Sequence, residues 1–106
     1  MNPRIRTILA DLRTRFVALY GDRLAKLILY GSQARGDAKP DSDIDVLVVL
    51  KGAVSPGQEI ERTGDIVSDV SLVHDTVISC VFVSEERYGS EWTPLFSNVR
   101  REGVPV

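Results

Sequence analysis

The stretch Leu27 to Leu50, LILYGSQARGDAKPDSDIDVLVVL, breaks an apolar run at Gly31-Ser32 and resumes it through aspartates at alternate positions, Asp41, Asp43 and Asp45. Its two ends, within 25–30 (AKLILY) and 44–50 (IDVLVVL), are short, apolar and bounded by turn residues, so both read as strands. Lys39-Pro40-Asp41 sits in the turn between them. On the second strand Asp43 and Asp45 are two apart and project from one face, with Ile44 and Val46 on the other. Two like charges held a few ångströms apart raise one pKa or demand a counter-cation, and oxygen-only ligation suits Mg²⁺ or Mn²⁺. Mg²⁺ takes one or two protein carboxylates and completes its shell with waters and substrate phosphates, which points towards a nucleotide.

Gly31-Ser32 follows directly on an apolar strand. A glycine there lets backbone N–H groups approach phosphate oxygens, and the serine hydroxyl adds a donor. Arg35 lies three residues on, where its guanidinium either contacts the same polyphosphate or holds the loop. Gly36 lets the chain turn back towards the acidic strand. Each part alone has a plainer reading: a Gly-Ser turn, a surface arginine, and a turn aspartate at Asp41 beside Pro40. A calcium loop is excluded, because its sixth and twelfth positions hold Val46 and Gly52 rather than Gly and Glu.

Outward from this hairpin, residues 3–20 place Ile5, Leu9, Leu12, Phe16 and Leu19 at helical spacing, an amphipathic helix ending near Gly21. Ser55-Pro56 has the chemistry of a helix start, and Ile60, Val67 and Val70 keep one face of that helix apolar. Residues 76–83 (TVISCVFV) form a β-branched run, the pattern of a strand covered on both faces. Thr93-Pro94 opens a last short helix that stops at Gly103. The order predicts an α/β (α+β) fold, a mixed sheet of three or four strands flanked by helices, in a single domain over 1–106.

The chain has 106 residues, a net charge of −2 and 43% hydrophobic content, enough for one core. Neither a run of 18 apolar residues nor a signal peptide is present, so a cytoplasmic protein without membrane contact is expected. The near-neutral charge argues against a general nucleic-acid binder, and a nucleic acid enters the reading only as an acceptor. Arg4, Arg6, Arg13 and Arg15 read as a solvated helix face. Cys80 is the lone cysteine and reads as a small core residue within ISCVFV.

Taken jointly, G-S-x-A-R-G followed by D-S-D-I-D-V within one hairpin resembles the nucleotidyltransferase signature of the DNA polymerase β superfamily. The likeness is closest to its minimal nucleotidyltransferase branch, small bacterial and archaeal proteins that often act as antitoxins beside HEPN-domain toxins. The tail SNVRREGVPV resembles the closing helix and final short strand of that branch. The resemblance implies that Gly31 and Ser32, with Arg35, hold the triphosphate, and that Asp43 and Asp45 bind the divalent metal ions and carry catalysis. The implied reaction passes a nucleotidyl group from an NTP to a hydroxyl of a protein or RNA and releases pyrophosphate. A HEPN-domain protein is the implied partner.

The same resemblance calls for a third carboxylate on the strand at 76–83. Aligning TVISCVFV with that strand puts it near Ser79, and no Asp or Glu occurs between 76 and 84. Asp75 and His74 precede the strand as alternatives. Two readings follow, an active Mg²⁺-dependent transferase or a catalytically degenerate nucleotide-binding or partner-binding module. Grip on an acceptor calls for a partner surface, for which the 3–20 helix and Trp92, Leu95 and Phe96 are candidates beside their ordinary fate in the core.

Overall fold

The structure is a computed structural model describing residues 2–106. Asn2 caps α1 (Pro3–Tyr20), its side chain accepting from the Arg4 N–H at 2.7 Å, and Pro3 opens the helix where a missing N–H costs nothing. Then follow β1 (Leu24–Tyr30), α2 (Ser32–Arg35), β2 (Ile44–Leu50), α3 (Pro56–Val73), β3 (Ile78–Ser84), α4 (Glu85–Ser90), α5 (Pro94–Glu102) and β4 (Val104–Pro105). The sheet runs β3-β2-β1-β4. β1 pairs antiparallel with β2 and with β4, while β2 and β3 are parallel and joined by the α3 crossover. The expected mixed sheet of three or four strands is therefore present with four.

Strand alternation divides the core in two. Ile44, Val46, Val48 and Leu50 of β2 join Leu27, Leu29 and Phe82 beneath α1 and α3, with Phe16 edge-on to Tyr20 at 6.0 Å and 6.4 Å from Phe82. Leu47 and Val49 point the other way with Ile28 and Val83, against Tyr88 of α4 and Phe96 and Val99 of α5. Asp43 and Asp45 share this second face. The helical cover reaches Leu47, which is fully buried, but leaves Asp45 half-buried and Asp43 exposed at the sheet end.

Several expectations change in phase. Leu19 and Ile60 are 41% and 57% exposed, while Tyr20, Glu59 and Thr63 are buried in their place. The reason is a polar knot: the Tyr20 hydroxyl donates to Glu59 at 2.8 Å, Arg62 and Arg23 approach the same carboxylate at 3.2 and 3.6 Å, and the Thr63 hydroxyl donates to the Glu59 carbonyl. A buried carboxylate is tolerable when so paired, and holding it there turns α3 away from the apolar phase. Burial and the neighbouring Glu59 push the Tyr20 phenol well above its usual range.

The run 76–83 begins its strand only at Ile78 and lies at the sheet edge, with Ser79, Cys80 and Val81 half-buried rather than covered on both faces. Burial nevertheless pushes the Cys80 thiol up to about 12, which makes it a poor nucleophile. Helix α4, unexpected from the sequence, starts where the Ser84 hydroxyl accepts from the Arg87 N–H. Phe96 enters the core whereas Trp92 stays 74% exposed with the Arg100 guanidinium 4.3 Å above its ring. No helix among the described residues is long and apolar enough to cross a membrane.

Replacing Tyr20 by Phe removes the donor to a buried carboxylate and is expected to cost about 1–3 kcal/mol, read as a lower urea midpoint with an unchanged slope.

Candidate functional site

The β1–β2 register pairs Tyr30 with Asp45, so the residue after β1, Gly31, sits against the second aspartate. Gly31 adopts φ 77°, and a Cβ built there would lie 2.6 Å from Asp45 Oδ2. Both the backbone angle and the space demand glycine. The chain then coils through α2: the N–H groups of Ala34 and Arg35 donate to the Gly31 carbonyl, each at 3.1 Å, and Gly36, at φ 83°, closes the turn on Ser32 at 3.0 Å. The first N–H groups of the turn, Ser32 and Gln33, have no acceptor within it and are available to an anion. The Gln33 amide donates to the Ser42 carbonyl at 3.3 Å, and the Lys39 N–H to the Ser42 hydroxyl at 2.9 Å, which fixes the loop delivering Asp43 to β2.

Burial raises the pKa of Asp45, the Asp43 charge raises it further, and Arg35 opposes both. Tyr30, across the strand pair, is raised by burial and then by Asp45. The site thus holds excess negative charge in a partly desolvated setting, the condition that a divalent cation relieves. Arg35 turns its Nε to Asp37 at 3.1 Å and its Nη1 to Glu102 at 3.2 Å, tying α2 to the end of α5. Glu102 is a site neighbour that the sequence reading missed; 67 residues separate it from Arg35, and no local pattern links them.

On the other side of β2, Asp45 pairs with Ser79, and the Ile44 N–H donates to the Val77 carbonyl at 2.9 Å. Val77, just before β3, and Ser79 within it are therefore the residues beside Asp43 and Asp45, and neither is a carboxylate. Asp75 lies before the strand, exposed and at φ 50°; its carbonyl and that of His74 accept from Arg4. His74 Nε2 stands 3.0 Å from Asp11 Oδ2 on α1. That contact, followed by Arg15, lowers the Asp11 pKa, and Arg15 also reaches Asp69 on α3. His74 is thus engaged in holding the α3–β3 turn to α1. Among the described residues no three His, Cys, Asp or Glu side chains gather as a metal cluster. A two-carboxylate set fits an ion that fills its shell with water and phosphate rather than one caged by protein.

Comparison with known proteins bears on the family and the fold. A sequence family described as the nucleotidyltransferase domain matches residues 5–98. A protein of Methanocaldococcus jannaschii named a putative protein adenylyltransferase is 36% identical over 86 residues, 79% of each chain. Among solved structures, a toxin–antitoxin complex with AMP-PNP shares the fold at TM-score 0.63 and 18% identity, covering 89% of this chain and 68% of that one. A tri-AMPylated Shewanella oneidensis HEPN toxin in complex with its MNT antitoxin matches at TM-score 0.56 and 15% identity, covering 92% and 70%.

Two variants probe the geometry. Gly31→Ala is expected to cost about 1–3 kcal/mol through strain and the clash with Asp45, read in the same urea titration. Asp45→Asn is expected to stabilise the metal-free protein near neutral pH. Because the folded-state pKa is raised, ionising Asp45 destabilises the fold, and this effect grows as pH rises above the unfolded value of about 3.9. The difference in melting temperature between Asp45→Asn and the parent is expected to be positive at pH 7 and to shrink below pH 4.

Proposed function

The chain belongs to the nucleotidyltransferase domain family, an enzyme family, and from that premise we propose that it transfers AMP from ATP to a hydroxyl group of a protein. The observation that carries this reading is the Asp45 carboxylate packed against the Cα of Gly31, with Asp43 on the same face and the unpaired Ser32 and Gln33 N–H groups next in the chain. Burial, and after it the Asp43 charge, raise the proton affinity of this half-buried carboxylate, a strain that a bound cation would relieve. The name carried by the M. jannaschii relative supports AMP as the transferred group and a protein as the acceptor.

In the proposed reaction the Ser32 and Gln33 N–H groups and the Ser32 hydroxyl bind phosphate oxygens. Gly31 lets the polyphosphate come close to the backbone, and the α2 turn presents these donors already oriented. Asp43 and Asp45 would hold Mg²⁺ or Mn²⁺, which neutralises phosphate charge and activates the attacking hydroxyl when bound. The acceptor oxygen forms a bond to the α-phosphorus, the bond from that phosphorus to the bridging oxygen of pyrophosphate breaks, and the hydroxyl proton passes to solvent. Arg35 steadies the turn through Asp37 and Glu102 and moderates the proton affinity of Asp45. A HEPN-type protein as acceptor is part of the proposal. It is supported by the resemblance of the Gly31–Leu50 signature and by the complexes that share the fold.

A second reading, a binding module without transfer, is favoured by one observation: Val77 and Ser79 stand where a third carboxylate would face the two aspartates. Calorimetry with ATP, GTP, CTP and UTP, with and without Mg²⁺, separates the readings when combined with label transfer from α-labelled ATP. We expect Mg²⁺-dependent ATP binding that weakens at least about tenfold, or 1.4 kcal/mol, in the Asp43→Ala/Asp45→Ala variant. We also expect label on an acceptor protein. Binding without any transferred label selects the second reading in its nucleotide-binding form, and absence of binding to all four nucleotides overturns transfer and leaves a degenerate module that acts through a protein interface.

A further inference from the structure

At the sheet edge opposite β3, strand pairing stops early. β4 pairs with Leu29 and Ile28 of β1, the Val106 N–H donates to the Leu27 carbonyl at 2.9 Å, and Ala25 and Lys26 lie beyond the reach of β4. A cavity of about 440 Å³ lies beside this gap, a volume within the range of small-ligand sites. Arg13 of α1, Lys26 of β1 and Arg100 of α5 line it together with Tyr88, Gly103 and Val106. Among the described residues no Asp or Glu side chain lines it, although the chain as a whole has 15 acidic residues against 13 Lys and Arg. Gly31, Ser32, Arg35, Asp43 and Asp45 are not part of its wall, so it is separate from the candidate site.

The three cations are held in place without being neutralised. Among the described residues Arg15, Arg23, Arg35, Arg62 and Arg87 each meet a carboxylate side chain, whereas Arg13, Lys26 and Arg100 meet none. Arg13 Nη1 donates to the Val106 main-chain oxygen at 2.8 Å, Arg100 Nη1 donates to the Glu91 carbonyl at 3.3 Å, and Arg100 Nη2 donates to the Tyr88 carbonyl. The Arg100 guanidinium also stacks 4.7 Å from the Tyr88 ring centroid and 4.3 Å from that of Trp92, while Lys26 Nζ lies 5.9 Å from the Tyr88 centroid. Tyr88 is itself anchored, buried and edge-on to Phe96 at 5.4 Å. Main-chain oxygens and ring faces orient these cations, and a guanidinium has five N–H donors, so each arginine keeps donors for a ligand.

Like charges gathered around one cavity repel until an anion joins them, and a ligand with a single negative charge would leave most of that repulsion in place. Guanidinium forks match phosphate oxygens in a two-pronged geometry, and an ammonium adds a point charge. We propose that this cavity is a second ligand site, which binds a small anion carrying two or more phosphate groups and does so without a metal ion. Its demand is the reverse of that at Asp43 and Asp45, where a cation must neutralise the carboxylates before phosphates approach. Lining from α1, β1, α4 and α5 around one cavity favours a small anion over a nucleic-acid strand, whose backbone needs cations spread along a groove. The proposal stands on the fold and its charges and does not require the transfer reading.

The test is calorimetry in EDTA on the Asp43→Ala/Asp45→Ala variant, which disables the candidate site, with inorganic pyrophosphate, ATP and a short single-stranded RNA as probes. Pyrophosphate is expected to bind one to one, and its titration is expected to shift the amide resonances of Ala25, Lys26 and Gly103 while leaving those of Ser32 and Gln33 in place. Lys26→Gln, at an exposed position, is expected to weaken binding about tenfold, and adding Arg13→Gln to abolish it, with the urea midpoint unchanged. Lys51→Gln, at an exposed cation outside the cavity wall, is expected to change nothing. ATP binding comparable to that of pyrophosphate extends the ligand to nucleotides, and weaker ATP binding restricts it to free polyphosphate; both uphold the site. Absence of pyrophosphate binding, equal weakening by Lys51→Gln, or shifts at Ser32 and Gln33 instead overturns it. RNA binding that is tighter than pyrophosphate binding and lost with the same two substitutions overturns the small-anion ligand and assigns the surface to nucleic acid.

Discussion

The contact between the Asp45 carboxylate and the bare Cα of Gly31 is the constraint on which the site depends. It exists because β1 and β2 form one antiparallel hairpin, in which Tyr30 lies opposite Asp45 and the next residue must leave the sheet at once. A side chain at 31 would occupy the carboxylate's position, so the turn that follows is built on glycine and coils immediately into α2. The same approach partly desolvates Asp45. That cost is offset along β2 itself, where Val46 to Leu50 are fully buried from both faces and anchor the strand that presents the aspartates.

Three polar ties secure the surroundings of this hairpin. Arg35 joins α2 to Glu102, Arg4 and the His74–Asp11 contact join the α3–β3 turn to α1, and the Glu59 knot joins α3 to Tyr20 and Arg23. The first two are partly exposed, and exposed ion pairs add little to stability. Their effect is geometric: they hold the segments on either side of β2 in fixed relation to Asp43 and Asp45. The third is buried and carries energetic weight, because the carboxylate of Glu59 has no solvent to fall back on.

The edge position of β3 decides what stands beside the two aspartates. A parallel strand reached through α3 has β2 on one side only, and the short cover of α4 and α5 leaves the end near Ser79 open. The two aspartates of β2 thus lie beside an edge strand that places Val77 and Ser79, and no carboxylate, next to them.

The sequence by itself determined whatever depends on neighbours in the chain. Alternation put Asp43 and Asp45 on one face, Gly31-Ser32 and Gly36 marked a tight turn, and the stripe Ile5, Leu9, Leu12, Phe16 defined the inner face of α1, because these follow from periods of two and 3.6 residues and from local backbone freedom. The tertiary structure alone decided what depends on pairing between distant segments. It set the phase of α3, where Glu59 rather than Ile60 turns inward to meet Tyr20. It also joined Arg35 to Glu102 and left β3 at an edge although its apolar run reads as fully covered. A buried ion pair or a sheet edge is a property of partners, and no periodicity within either segment encodes which partner it will meet.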